Sequence, residues 1–283
     1  MKSRLASELH SNCCGPDIAW LVVSDVVSDF KTLLVKIAGP RSLLLFFPDT
    51  LVLDRWRWLK ERLPASPGKL LDAGCGNGWL ALNCASLGYA VTGLSWQDSD
   101  LARARKRADT LGKRVQFEVQ DLRELAERTD LAGCFDTVTC TETIEHILDD
   151  HQLCSALGRT LRPGGRLLLT APNSSYIPID DGDAGPFLPI EDGGHVRKGY
   201  AESDLRALVE SSGLTVEEIS YCSGKTSQQV TKVLRILTRS LGYPLAWVLT
   251  FPLRIVPLFA DRRDIGYPPY SICCVASKPP QQA

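Results

Sequence analysis

Four ionisable side chains in two segments could move a proton or hold a cation. The segment TETIEHILDD carries Glu142, Glu145 and His146, and His195 follows in EDGGHVRKGY. If the first segment is helical, its three residues stand at i, i+3 and i+4 and share one face. Such a face could present a general base or bind a divalent metal through two carboxylates and an imidazole. We take His146, His195 and Glu142 as candidate catalytic residues. A base or substrate contact is favoured over a metal site and over a purely structural role.

A glycine-rich turn is the strongest local signal in the chain. In LLDAGCGNGWLAL (70–82) a predicted strand turns directly into a predicted helix. Gly74, Gly76 and Gly78 allow a tight turn and a close approach of the backbone to a ligand, since no Cβ intervenes. The spacing differs from the GxGxxG of dinucleotide binders and lacks the Lys-Ser/Thr of a phosphate-binding loop. A phosphate-cradling role is therefore disfavoured.

The elements that must position these residues alternate between strands and helices from Lys69 onward. A sheet edge forms where parallel strands end, and ligands of open α/β sheets bind there. The glycine turn and His146 both follow predicted strands, so both belong to this edge. The predicted strands are 70–73, 90–94, 115–119, 135–140, 165–171, 214–221 and 270–277, and the predicted helices are 79–87, 100–111, 153–161 and 201–213.

Two flanking regions surround the predicted core. We expect a helical N-terminal cap over 1–66, a core over 67–221 plus 267–283, and an apolar substrate cap over 222–266. The apolar stretch 241–260 contains three prolines and Arg254, which interrupt a single membrane-spanning helix. Packing against the rest of the domain is favoured, with peripheral membrane contact as the alternative. Aromatic residues of the two flanks suggest a lipophilic ligand: Phe46, Phe47, Trp56, Trp58, Trp247, Phe251 and Phe259.

Composition excludes several classes of protein. The 283 residues are 44% hydrophobic and 23% charged, which is ordinary globular usage and excludes a wholly disordered chain. Lys+Arg total 32 against 33 Asp+Glu, so no general attraction to nucleic acid is expected. The ten cysteines follow an N-terminus without an apolar leader. We therefore expect reduced thiols and a cytoplasmic location.

Five motifs in a fixed order give the chain a family resemblance. DAGCGNG, VTGLSWQ, VQDL, FDTVTCTETIEHI and LRPGGRLLLTAPN resemble the class I S-adenosylmethionine-dependent methyltransferases. The resemblance implies an α/β Rossmann-like sheet of seven strands in the order 3-2-1-4-5-7-6. It also implies S-adenosylmethionine as cofactor and S-adenosylhomocysteine as product.

The resemblance also assigns the cofactor-binding residues. Asp72, Gly74 and Gly76 would hold the methionine end of the cofactor. Asp121 and the backbone of Leu122 would hold the adenine amino group.

One position departs from the family pattern. Ser95 stands where the family usually has an acidic residue that binds both ribose hydroxyls. A serine cannot accept two hydrogen bonds as a carboxylate does. Gln97 or Asp98 would then reach the ribose, or a water would bridge from Ser95, and Trp96 would pack against the adenine.

The expected function is methyl transfer to an oxygen of a small or lipophilic acceptor, as in small-molecule biosynthesis. The E-x-x-E-H run resembles that of methyltransferases acting on polyprenylated quinone precursors and on RNA 3′ ends, some of which use Mg²⁺ there. We expect no metal and no nucleic acid partner, with Mg²⁺ as a disfavoured alternative. The chain could instead transfer the methyl group to nitrogen or carbon, or serve as a non-catalytic regulatory protein that binds S-adenosylmethionine.

Overall fold

Seven strands form one mixed sheet in the order β3-β2-β1-β4-β5-β7-β6. The computed structural model describes residues 47–259 and 266–280. The strands are β1 (Lys69–Ala73), β2 (Ala90–Ser95), β3 (Val115–Val119), β4 (Phe135–Thr141), β5 (Leu161–Pro172), β6 (Thr215–Cys222) and β7 (Ser271–Ser277). β7 runs antiparallel to both β5 and β6, while the other pairs are parallel. The predicted fold class and strand order are confirmed.

Eight α-helices accompany these strands in the described part of the chain. They are α1 (Thr50–Arg62), α2 (Trp79–Ser86), α3 (Asp98–Leu111), α4 (Asp150–Thr160), α5 (Glu202–Ser211), α6 (Lys225–Leu241), α7 (Tyr243–Leu249) and α8 (Val256–Phe259). Short 3₁₀ turns lie at Leu122–Glu127, Thr129–Leu131, Ile144–His146, Asp181–Ala184 and Pro252–Ile255. The predicted elements agree with these bounds to within a few residues.

Hydrophobic clusters cover both faces of the sheet. Neighbouring residues of a strand point to opposite faces, and Leu70 and Leu71 accordingly belong to different clusters. The cluster of Leu71 includes residues of α4 and α5, and the cluster of Leu70 includes residues of α1, α2 and α3. The molecule therefore has three layers, with the central strands buried on both sides. Continuous apolar runs are the expected sequence of such strands.

Helix α1 joins the N-terminal flank to the edge of the sheet. The Asp49 side chain caps its first turn by accepting from Val52 N at 2.9 Å. Trp58 Nε1 donates to Ser220 Oγ of β6 at 2.9 Å. Because α1 packs into the core of the sheet, the division of the chain into cap and core at residue 66 stays a prediction. Residues 1–46 of the predicted cap lie outside the described residues.

Within the region 222–266, residues 225–259 are mostly helical and form α6, α7, a 3₁₀ turn and α8. Thr50 Oγ1 of α1 donates to the Ser227 carbonyl of α6 at 2.7 Å, so the two flanks contact each other. Among the helices of 47–259 and 266–280, none combines the length and the hydropathy that crossing a membrane would need. The role of this region as a substrate cap stays a prediction.

Two glycines with left-handed backbones provide a test of the packing at the glycine turn. Gly78 has φ +75°, and a Cβ there would lie 2.7 Å from Ala104 Cβ and 2.9 Å from Phe117 Cζ. Gly112 has φ +60°, and a Cβ there would meet nothing within 4 Å. We expect Gly78→Ala to lower the free energy of unfolding by about 3 kcal/mol, from overpacking plus backbone strain.

Gly112→Ala is the matched control and should cost about 1 kcal/mol, from the backbone alone. Urea unfolding of both variants measures the difference. Equal losses would show that the contact with Ala104 and Phe117 is unimportant.

Candidate active site

A cleft of about 300 Å³ opens at the carboxyl edge of the parallel strands. It lies where β1 has β2 on one side and β4 on the other, the point at which strand order reverses and ligands bind in such sheets. The cleft is lined by Gly74, Gly76, Ser95, Trp96, Gln97, Asp100, Asp121, Leu122, Arg123, Glu142, Thr143, His146, Ile147, Glu191 and Gly193.

The structure brings seven of the eight predicted cofactor-binding residues into this cleft. Asp72 is the exception, because its side chain is 1% exposed and lies behind the glycine turn. Its Oδ1 accepts from Thr139 Oγ1 of β4 at 2.9 Å. Burial raises the pKa of Asp72 to about 6. Asp72 thus links β1 to β4 beneath the turn instead of facing the cleft.

The turn itself is built for a close approach of a ligand. Gly74 has φ +83°, and a Cβ on it would collide with Thr143. Gly76 has φ +48°, and a Cβ on it would meet no atom within 4 Å, since this residue faces the open cleft. Gly74 N and Cys75 N donate to the Leu94 carbonyl at 2.9 and 2.8 Å, which fastens the turn to the end of β2.

A carboxylate just beyond the end of β2 also lines the cleft, although no sequence motif singles it out. Ser95 is 4% exposed and lines the cleft beside Gln97. Asp98 is 77% exposed and is not among the lining residues, whereas Asp100 is. Both aspartates lie in the first turn of α3. The family motif covers only the end of the strand. Asp100 lies further along the chain, in the helix that follows, so the motif does not include it.

Asp121 also lines the cleft, and its carboxylate is paired with Arg123. Arg123 Nε donates to both of its carboxylate oxygens at 2.9 Å. These hydrogen bonds lower the pKa of Asp121. Arg123 N also donates to Oδ1 at 3.0 Å, and Arg123 Nη2 donates to Oδ2. Arg123 thus uses about all four acceptor sites of the carboxylate, and a ligand donor would share an oxygen with Arg123.

A loop after β5 is fastened across the cleft. Glu191 accepts from Leu148 N at 2.7 Å and from Arg123 Nη1 at 3.2 Å. A Cβ on Gly193 would stand 3.5 Å from the Trp96 ring, which is 55% exposed at the rim. Val196 N donates to the Glu145 carbonyl at 3.0 Å. The loop between β5 and α5 therefore lies over the cleft.

The structure does not place Glu142 and His146 on one helical face. Glu142 has φ +47°, which ends β4 abruptly, and only Ile144–His146 form a 3₁₀ turn. Glu142 Oε1 accepts from Thr170 Oγ1 at 3.1 Å and from Ser271 Oγ at 3.0 Å. Its other oxygen lies 3.7 Å from Arg55 Nη1. Glu142 still lines the cleft, but its carboxylate is held by three neighbours.

A carboxylate and two imidazoles instead converge beside the cleft. Glu145 is fully buried, and its Oε1 lies 3.8 Å from His146 Nε2 and 3.9 Å from His195 Nε2. The two rings meet edge to face with centroids 4.6 Å apart. Both carboxylate oxygens are buried without a hydrogen-bond partner in the part of the chain described. One ligand atom from each residue lies within 4.8 Å of the others, so the three could hold a metal ion.

The protonation of this cluster follows from its surroundings. His146 Nδ1 is 3.0 Å from the Gly194 carbonyl. A carbonyl only accepts, so Nδ1 carries a hydrogen, and Nε2 is the ring nitrogen nearer Glu145. Burial and the neighbouring His146 lower the pKa of His195. Burial and the charge of Glu142 raise the pKa of Glu145 well above its usual value. A proton or cation at this point would offset the buried negative charge.

A second cavity of about 430 Å³ adjoins the cleft through His146. Its lining includes His195, Asp183 and four apolar residues of the loop, Pro186, Phe187, Leu188 and Ile190. Arg197 and Tyr200, which follow His195, are not among the residues that line the two cavities. Both bind Asp150 at the start of α4.

The sequence of the chain is similar to those of known methyltransferases. A family model described as a methyltransferase domain matches residues 49–219. The ubiquinone biosynthesis O-methyltransferase of Thiobacillus denitrificans is 32% identical over 186 residues, 64% of this chain and 78% of that protein. The enzyme of the same name from Pseudomonas aeruginosa is 32% identical over 182 residues, 63% of this chain and 76% of that protein.

Solved structures show the same fold at lower identity. The [4+2]-cyclase SpnF aligns with a TM-score of 0.56 at 19% identity, covering 80% of both chains. A phosphoethanolamine N-methyltransferase of Haemonchus contortus, in complex with phosphomonomethylethanolamine and S-adenosylhomocysteine, aligns at 0.54 and 21% identity, covering 80% of this chain and 52% of that one. At these identities the comparison defines the fold alone.

The strand order, with the cleft at the point where that order reverses, is that of the Rossmann-like class I methyltransferase fold. The chain belongs to the methyltransferase-domain family and is an S-adenosylmethionine-dependent methyltransferase.

The buried Asp72 gives a test based on pH. Its raised pKa means that burial favours the protonated form, so its contribution to stability is complete below about pH 4 and is lost as pH rises through about 6. We expect the stability of Asp72→Asn relative to wild type to increase by about 1 kcal/mol between pH 5 and pH 8. Urea unfolding at the two pH values measures this change.

Thr139→Val, which removes only the hydroxyl donor, is the companion variant. It should destabilise the protein more at pH 8 than at pH 5, because the ionised carboxylate loses its hydrogen bond. A difference between Asp72→Asn and wild type that is independent of pH would contradict the assigned burial.

Proposed function

We propose that this enzyme methylates an oxygen of a small lipophilic acceptor bound in the second cavity. The convergence of Glu145, His146 and His195 between the two cavities carries the proposal. The names of the relatives, ubiquinone biosynthesis O-methyltransferases, support an oxygen acceptor on a lipophilic ring.

The residues that line the cleft support binding of S-adenosylmethionine there. The open space at Gly76 admits the methionine end against bare backbone. Gln97 and the Asp100 carboxylate replace the missing acidic residue at Ser95 as partners of the ribose hydroxyls, and Asp121 accepts from the adenine amino group. When bound, the cofactor supplies an electrophilic methyl group on a sulfonium.

His146 is the general base of the proposed reaction. His146 lines both cavities, and the Gly194 carbonyl fixes a proton on Nδ1, which leaves Nε2 as the nitrogen that can accept a proton. There it takes the proton of the acceptor hydroxyl, which leaves an imidazolium whose Nε2 lies 3.8 Å from Glu145 Oε1. His195, kept neutral by its lowered pKa, accepts a hydrogen bond from the acceptor.

The same three residues fit a divalent cation as the alternative. The buried, unpaired oxygens of Glu145 and the two imidazole nitrogens are ligands that such a cation prefers. A cation held by Glu145, His146 and His195 would lower the pKa of the acceptor hydroxyl. Glu142 is not part of this set, because Arg55, Thr170 and Ser271 already hold it.

The lipophilic lining comes from the loop and not from the expected aromatic residues. Trp56, Trp58 and Trp247 are 2–4% exposed and pack inside the protein. Leu188 and Ile190 line the second cavity and are 53% and 56% exposed, so apolar surface lies at its mouth. Phe46 lies outside the described residues.

Three substitutions test the cluster with a catechol carrying a short isoprenoid chain as acceptor. We expect His146→Ala, His195→Ala and Glu145→Gln to lower kcat about 100-fold or more. The dissociation constant for S-adenosylmethionine should change less than about threefold, since the glycine turn and Asp121 remain. His151→Ala is the matched control, because this exposed histidine of α4 lies 3.2 Å from Ser211 Oγ and lines neither cavity.

Activity after chelation separates the two forms of the proposal. Full activity in the presence of a chelator assigns His146 as the base, and loss restored by Mg²⁺ assigns a metal site. Unchanged turnover in all three variants would contradict both.

A further inference from the structure

In the segment between β6 and β7, polar side chains are buried and apolar side chains are exposed. From Tyr243 to Phe259 the backbone is helical throughout, since Thr250 and Phe251, which join α7 to the next turn, are right-handed. Its polar residues Thr250 and Arg254 are 0% and 1% exposed. An ordinary surface helix turns such residues outward and its apolar residues inward.

The outward side of this segment is apolar instead. Leu245, Val248, Leu249, Leu253, Val256 and Phe259 are 42–83% exposed and recur at intervals of one, three or four residues. We call these six residues the 245–259 face. Contiguous exposed apolar surface of this kind marks an interaction site in a folded protein.

The charge of residues 225–259 indicates which kind of partner the 245–259 face could contact. Residues 225–259 contain five basic residues and no acidic one. Arg235 and Arg239 pair with Asp183 and Asp180, and Arg254 is buried, so the exposed positive charge of this segment lies mainly on its two lysines. Lys225 and Lys232 are exposed on α6. Such a basic helical segment with an apolar face lies in the interface of an anionic bilayer. A symmetric contact with a second copy would bring two basic segments together, which costs energy.

We propose that the 245–259 face docks on the surface of an anionic phospholipid bilayer. The described helices are too short or too polar to cross a membrane, so the segment lies in the bilayer interface. It also lies beyond residue 219, where the match to the methyltransferase domain ends. Docking is thus a property of this chain's own C-terminal helices.

Ion pairs connect α6, the helix that precedes the 245–259 face, to the loop that lines the second cavity. Arg235 Nη1 of α6 lies 2.8 Å from Asp183 Oδ2, and Asp183 lines the second cavity. Arg239 Nη2 lies 3.2 Å from Asp180 Oδ2 in the same loop. The helix that precedes the 245–259 face is therefore tied to the loop that lines the second cavity. Delivery of a lipophilic acceptor from the bilayer rests on the proposed function, whereas docking itself does not.

Vesicle sedimentation with the full chain tests docking directly. We expect binding to phosphatidylcholine vesicles that contain about 30% phosphatidylglycerol, with loss of binding at about 0.5 M salt. The double variant Leu249→Glu/Leu253→Glu should bind at least about tenfold more weakly, because two charges enter the apolar contact. Lys225→Gln/Lys232→Gln should weaken binding by about tenfold or more.

Leu87→Glu is the matched control, since Leu87 is a 39% exposed leucine at the end of α2, outside the segment. It should bind vesicles like wild type, and circular dichroism melting shows whether each variant folds. Absence of vesicle binding by wild type, or equal binding by the Leu249→Glu/Leu253→Glu variant, would overturn the proposal. A dimer that this variant dissociates in light scattering would overturn it in favour of a second copy.

Methyl transfer to a water-soluble catechol without vesicles keeps the two proposals separate. The docking variants should retain wild-type turnover in this assay, since no residue of the 245–259 face lines the cleft or the second cavity. Vesicle binding without any methyl transfer to a catechol would refute the proposed oxygen acceptor and leave docking supported.

Discussion

The parallel pairing of β1 with β2 on one side and β4 on the other is the constraint on which the site depends. Ala73, the last residue of β1, is in register with Leu94 and with Cys140, so three strands end together. The glycine turn, the Ser95–Gln97 segment and Glu142 each leave the sheet at this edge. Thr139 reaches across to Asp72 and fixes the base of the turn. Residues far apart in sequence thus line one cleft because the strand ends are aligned.

The loop after β5 completes the site by polar contacts at several points. Glu191 holds Arg123 and the backbone of Leu148, and the Gly194 carbonyl sets the tautomer of His146. His195 is brought to the buried Glu145 by the same segment. The cluster of Glu145, His146 and His195 is therefore assembled by tertiary contacts across the cleft. The buried Glu145 carboxyl group has no hydrogen-bond partner among the described residues. A bound proton or cation would stabilise it there.

The sequence predicted the fold well because apolar runs, glycine turns and helix ends are local signals. Gly74, Gly76 and Asp121 could be predicted to lie at the cleft because they stand within three residues of a strand end, and His146 because it belongs to the E-x-x-E-H run. Asp100 could not, since it is five residues beyond β2 and belongs to no such motif. The binding of Glu142 by Arg55, Thr170 and Ser271 joins three distant segments, and its left-handed backbone has no sequence signature. The pairing of His195 with Glu145 likewise depends on the course of a long loop.

Calorimetric titration with S-adenosylmethionine tests the central claim, that the cleft at the end of β1 and β2 is the cofactor site. Wild type should bind in the micromolar range, and Asp121→Ala should weaken binding about tenfold or more, through loss of a charge-assisted hydrogen bond. Asp130→Ala is the matched control, because Asp130 pairs with Arg128 two residues away just as Asp121 pairs with Arg123. Wild-type affinity in Asp121→Ala, or equal weakening in both variants, would contradict the assigned site.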